Sequence, residues 1–129
     1  MSKELVARWF NKISEAEKNL PLLLVEGYAY TPRMAYDEVN RGSVLGAKLQ
    51  ALIESGRFGT SQLDEIAIAK VRLQQSLQSK PQDKILFATL SGKTFTPSQL
   101  LQEIESGTEI GVQQINAEIA HMRSIVQVR

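Results

Sequence analysis

The sequence contains no cysteine and only one histidine, His121. No disulfide can form, and a zinc site would have to rest on carboxylates, for which the chain offers no HExxH or equivalent spacing. Absence of cysteine fits a reducing compartment, so a cytoplasmic protein is expected. An excess of one charge is missing as well. The 15 Lys and Arg stand against 14 Asp and Glu, which leaves no global field to draw the chain to nucleic acid or an anionic membrane. Long apolar runs are also lacking: the longest in the N-terminal half is Leu22 to Val25. That is far short of the roughly 20 residues of a membrane-spanning helix, and no membrane association is expected. The opening Met1-Ser2-Lys3-Glu4-Leu5 includes an acid and soon meets Arg8 and Lys12, unlike a signal peptide.

What is present is enough for a core. The 129 residues are 43% hydrophobic. A chain of that size is expected to form one compact domain over residues 1–129 and to bury roughly two-thirds of its unfolded surface. Part of it is written twice. Gly27-Tyr28-Ala29-Tyr30-Thr31-Pro32, continuing through Glu38-Val39 to Gly42-Ser43-Val44-Leu45-Gly46, is matched by Gly92-Lys93-Thr94-Phe95-Thr96-Pro97, Glu103-Ile104 and Gly107-Thr108-Glu109-Ile110-Gly111. The offset is 65 residues, and 6 of the 20 columns from Gly27 to Gly46 are identical, against about one expected at average residue frequencies.

Local signals assign elements to this pattern. Leu5, Val6, Trp9, Phe10, Ile13 and Ala16 recur at helical spacing and predict a helix over residues 3–18. Leu22–Val25, Glu26-Gly27 and Tyr28–Tyr30 read as a hairpin about a two-residue turn, and Ile85–Leu90, Ser91-Gly92 and Lys93–Phe95 repeat it. Thr31-Pro32 and Thr96-Pro97 mark helix starts, with Gln99 completing a capping box in the second. Gly42 and Gly107 stop those helices, Ser43 and Thr108 cap the next, and Gly46 and Gly111 permit close backbone approach. Ser61 starts a helix through Gln78 with Leu63, Ile66, Val71, Leu73 and Leu77 as its apolar positions, and a last helix could run from about residue 109 almost to Arg129. The expected fold is α+β: an N-terminal helix and a tandem pseudo-repeat of a β-hairpin followed by two helices, over residues 20–54 and 85–119. The two hairpins are expected to pair into one small sheet covered by helices. An all-α fold with extended connectors is the alternative.

Chemistry-bearing patterns are few. Gly92-Lys93-Thr94 resembles the end of a phosphate-binding loop, but the required earlier glycine is Phe87, and the helix starts only after Thr96. The plain reading is a hairpin turn. Helix starts at Ser43 and Thr108 could attract an anion, yet Glu109 would oppose one. The helix–turn–helix at residues 32–54 offers only Lys48 and Gln50 to a DNA groove, and its copy carries acids. Asp37-Glu38 and Asp64-Glu65 are neighbours on helices, about 100° apart, and do not converge as an acid/base pair would. Neither a cofactor nor an enzyme activity is expected.

Two surfaces remain. Val112, Ile115, Ile119, Met122 and Val126 recur at three- and four-residue spacing, the seam period of a helix on a partner helix; burial within the same domain accounts for the stripe equally well. Lys70, Arg72, Lys80, Lys84 and Lys93 form a locally basic stretch that could touch phosphates. The expected role is a small non-catalytic protein-interaction or assembly module that associates with itself, as a homo-oligomer, or with another protein. A nucleic-acid-associated accessory protein using residues 70–93 is the less favoured alternative.

Overall fold

The computed structural model describes residues 2–126. Among them the chain forms α1 (Ser2–Lys12), α2 (Glu15–Lys18), the hairpin β1 (Leu23–Val25) and β2 (Tyr28–Tyr30), then α3 (Pro32–Arg41) and α4 (Val44–Ser55). There follow α5 (Gln62–Gln78), the hairpin β3 (Phe87–Ala88) and β4 (Thr94–Phe95), α6 (Pro97–Ser106) and α7 (Glu109–Val126). The arrangement is predominantly helical α+β, with the extended segments paired as two antiparallel two-stranded sheets. The single sheet expected from the sequence does not form: β1 pairs only with β2 and β3 only with β4. The expected continuation of the last helix toward Arg129 lies outside the described residues.

The predicted helix over 3–18 is broken. It ends at Lys12, and Ser14 adopts extended backbone and caps α2 by accepting the Glu17 N–H at 3.3 Å. A serine hydroxyl competes well for free N–H groups, so a helical stripe that crosses one can be cut there.

Both helix pairs are built by one device. The hydroxyl of Thr31 caps α3 and that of Thr96 caps α6, with proline in the first turn of each. Gly42 (φ +74°) and Gly107 (φ +69°) end these helices in the left-handed region. Ser43 Oγ accepts the Gly46 N–H at 2.9 Å and donates to Glu38, while Thr108 Oγ1 accepts the Gly111 N–H at 3.2 Å and donates to Glu103. Gly46 and Gly111 sit against the backbone of the preceding helix, where a Cβ would collide with the Glu38 or Glu103 carbonyl. Each identical column between the two stretches therefore has a local structural task. They are the turn glycine, the threonine cap, the first-turn proline, the glutamate beneath the hydroxyl, and the two glycines.

The buried apolar residues form one cluster, centred on Trp9, Leu22, Leu23, Leu49, Ile53, Phe58, Ile68, Ile104 and Met122. Helix α1 packs on α3 and α4, and α5 packs on α6 and α7. The buried face of α5 differs from the expected one. It runs through Glu65, Ile68, Ala69, Arg72 and Leu77, while Leu63 is exposed. Two charged residues on the inner face hid it from a hydrophobic pattern.

Candidate interaction surface

The first hairpin turns at Glu26 (φ +52°) and Gly27 (φ +83°), a two-residue loop with both residues left-handed, which matches the twist of the flanking strands. Its register pairs Val25 with Tyr28, Leu24 with Ala29 and Leu23 with Tyr30. Alternate residues of an antiparallel strand turn their N–H groups to opposite edges, so Leu24 faces away from β2. Its N–H donates to the Phe58 carbonyl at 2.8 Å. Phe58 arrives there because α4 stops at Gly56 (φ +71°) and the chain folds back, with the Arg57 N–H returning to the Leu52 carbonyl at 3.0 Å. The next residue, Gly59, passes so close to α5 that a Cβ would lie 2.7 Å from Asp64 Cβ. The result is a covered strand: Leu22 to Val25 and Phe58 are all buried.

The second hairpin is built differently at its tip. Thr89 N–H donates to the Lys93 carbonyl at 2.8 Å, which closes a three-residue loop, Leu90-Ser91-Gly92, with Gly92 at φ +91°. Phe87 pairs with Phe95 and Ala88 with Thr94. The loop is one residue longer than the first. The constant offset of 65 therefore holds from the turn glycine onward but not before it. Leu86 occupies the place of Leu22, each donating its N–H to the last carbonyl of the opposite strand (Phe95 at 2.8 Å, Tyr30 at 3.0 Å), and Ala88 occupies the place of Leu24.

Among the described residues nothing covers this second hairpin as Phe58 covers the first. At an offset of 65 the helix-ending Gly56 corresponds to His121, which lies within α7, so α7 runs on and no described segment folds back. The outer edge of β3 has no strand partner among the described residues. Ile85 is 67% and Leu86 45% exposed, and Leu90 is fully exposed. Phe87 and Phe95 make a tilted ring pair at 6.0 Å. Between this hairpin and the start of α7 lies a groove of about 730 Å³, walled by Phe87, Leu90, Lys93, Glu103, Glu109 and Ile110 among others. A groove of about 630 Å³ beside the first hairpin is lined by Lys48, which pairs with Glu26, by Asp64, which accepts from Thr60 at 2.7 Å, and by Arg57.

The residues expected at an interface separate. Ile115, Met122 and Val126 are buried within the chain's own core and Ile119 is half-buried, because α7 lies along α5 and α6. Only Val112 of that stripe is exposed. The basic stretch also loses its centre. Arg72 is buried, and its guanidinium donates to Glu118 at 2.8 Å, Glu17 at 2.7 Å and the Pro21 carbonyl at 2.7 Å, so it is not available to a phosphate. Lys70 and Lys80 are half-buried, Lys84 is exposed, and Lys93 lines the groove beside the second hairpin together with two glutamates. This arginine ties α2, α5 and α7 together. His121 Nε2 lies 3.1 Å from the other oxygen of Glu17. Burial alone would raise the Glu17 carboxyl, but the hydrogen bonds from Arg72 and His121 outweigh it and hold the group below its ordinary value.

The neighbouring acids have local partners: Glu38 pairs with Arg41 at 2.9 Å, and Glu65 is buried beneath the Phe58 N–H. No group of three or more His, Asp or Glu that could hold a metal occurs among the described residues, and no described helix is long and apolar enough to cross a membrane. Sequence reading missed Phe58 and the open β3 edge. The signal for both was the four-residue break between Gly56 and Ser61, whose counterparts at the offset of 65, residues 122–125, lie within α7. Against known proteins, the chain matches no family model, no curated sequence and no solved structure.

Proposed function

We propose that this protein is a non-catalytic protein-interaction module, made by tandem duplication of a helix–hairpin–helix–helix unit. The first unit closes on itself, and the second presents its hairpin to a partner. The observation that carries this reading is the contrast between Leu24, whose edge is covered by Phe58, and Ala88, whose edge is open beside exposed Ile85, Leu86 and Leu90. An uncovered apolar strand edge is a liability that folded proteins ordinarily block, and a contiguous exposed apolar patch marks an interaction site. The shared columns support a structural, not catalytic, duplication, since each serves a turn, a cap or a helix contact.

Panning a random peptide library against the immobilised protein tests the reading. Peptides should enrich on the wild type and fail to enrich on Leu86→Lys/Leu90→Lys, while Tyr28→Lys on the covered hairpin leaves enrichment intact. A protein that enriches no peptide, and instead carries 260-nm-absorbing material that salt strips away, would overturn it in favour of the nucleic-acid reading.

A further inference from the structure

Resting on that reading, we propose that the second hairpin takes a short segment of a partner protein, which lays a backbone carbonyl on the Ala88 N–H and inserts an aromatic side chain beside Phe87. The chain itself supplies the pattern. At the corresponding place in the first half, the Arg57-Phe58-Gly59 segment, bent at Phe58 and Gly59, meets the edge of β1, gives one carbonyl to the Leu24 N–H at 2.8 Å and buries its phenyl ring completely. Ala88 stands in the same register as Leu24, one pair inward from the loop-closing pair, so its N–H faces the outer edge. The adjoining groove offers Phe87 and Leu90 from the hairpin and Ile110 from α7 as apolar walls, with Lys93, Glu103 and Glu109 among its polar ones. Lys93 lines the same groove and Glu103 accepts from Thr108, so Glu109 is the carboxylate that suits a cationic residue next to the aromatic one, as Arg57 stands next to Phe58.

Size argues for a segment and not a second copy of this chain. The large exposed apolar side chains of the hairpin are three, Ile85, Leu86 and Leu90. Fully covered, they fall well short of the roughly 800 Å² per partner that a standard stable interface buries. A peptide needs less area, since a main-chain hydrogen bond to the open edge and one or two side-chain pockets supply affinity and register.

The probe is a synthetic peptide with the sequence of residues 55–62, titrated into the full-length protein and followed by amide NMR and hydrogen exchange. Saturable binding is expected, with the Ala88 amide shifted and its exchange slowed several-fold. The same peptide with alanine in place of its phenylalanine should bind at least ten-fold more weakly. Ala88→Pro, which removes the donor at an edge position where proline is tolerated, should abolish binding while the amide spectrum of α1 to α4 stays unchanged. Protection of Ala88 is read on the wild type, so the outcome does not depend on that variant folding. Binding that leaves the Ala88 amide untouched, or that ignores loss of the phenyl ring, would overturn the inference. Absence of binding at millimolar peptide would do the same. Library peptides that enrich on the hairpin without an aromatic residue would sink this inference and leave the interaction reading standing. A salt-resistant dimer broken by Leu90→Lys would replace the segment with a second copy.

Discussion

The Leu24 N–H donates to the carbonyl of Phe58 at 2.8 Å, and that bond joins the first hairpin to the loop that follows α4. Leu24 and Phe58 are both buried, Phe58 completely. Truncation to Phe58→Ala removes a ring from a close-packed interior and should cost about 3–5 kcal/mol. Urea denaturation is the measurement. A loss below about 1 kcal/mol would mean that the first hairpin does not depend on its cover.

Arg72 should be the most sensitive charged residue. Its three donors meet Glu118, Glu17 and the Pro21 carbonyl, so Arg72→Ala leaves two partly buried carboxylates and a carbonyl without their donor. Removing one partner of such a pair costs about 3 kcal/mol or more. Arg72→Met fills the space without restoring the charge and should recover only part of the loss. A chemical melt in which Arg72→Ala is as stable as wild type would remove the clamp from the account of how α2, α5 and α7 are held.

Glu17 makes the same clamp visible as a pH dependence. Its folded carboxyl titrates below its ordinary value, 4.5. A group depressed on folding contributes stability that is complete above the unfolded pKa and fades as pH falls through the folded one. Wild-type stability should therefore drop as the pH is lowered from about 4.5. Glu17→Gln should start lower at neutral pH and lose this share of the acid slope. Identical slopes for the two proteins between pH 5 and pH 2 (a window set on the order of the carboxylate range) would contradict the assignment.

Local chemistry was legible in the sequence, and long-range placement was not. Thr-Pro starts, left-handed glycines and the hydroxyls of Ser43 and Thr108 act within a few residues of themselves, so their roles could be assigned from spacing alone. The break at Ser14 was missed because Ile13 and Ala16 continue a helical stripe across it. The inner face of α5 was missed because Glu65 and Arg72 are buried there through partners from distant parts of the chain, above all Glu17 and Glu118. The one-residue slip before Gly92 was invisible because the matching columns begin at the glycine itself. The open surface depends on where α4 stops and α7 does not, which only the folded chain displays.

The four helix-pair glycines should fall into two classes. At Gly42 and Gly107 a Cβ meets nothing within 4 Å, and only the positive φ opposes it; alanine there should cost about 1–2 kcal/mol. At Gly46 and Gly111 a Cβ would strike the preceding helix, with Val39 Cα at 3.0 Å and Ile104 Cα at 2.8 Å close behind the carbonyl. Alanine must then push α3 from α4 or α6 from α7, at a cost of about 3 kcal/mol. Thermal melts that show all four alanine variants equal would deny the close helix approach.

The C-terminal stripe gives the last test, because two of its members face different surroundings. Met122 is fully buried and Val112 is 45% exposed on the same helix. Met122→Lys would place an ammonium in the core without a partner and should unfold the protein or force the lysine neutral. Val112→Lys touches only the surface and should change stability by less than about 0.5 kcal/mol. Light scattering coupled to size exclusion then separates the two uses of the stripe. If Val112→Lys leaves the molar mass unchanged, α7 serves the chain's own core. If it dissociates a wild-type oligomer while the melting curve stays put, the outer side of the stripe is a seam between subunits, and the open hairpin has to share the role of interaction surface with it.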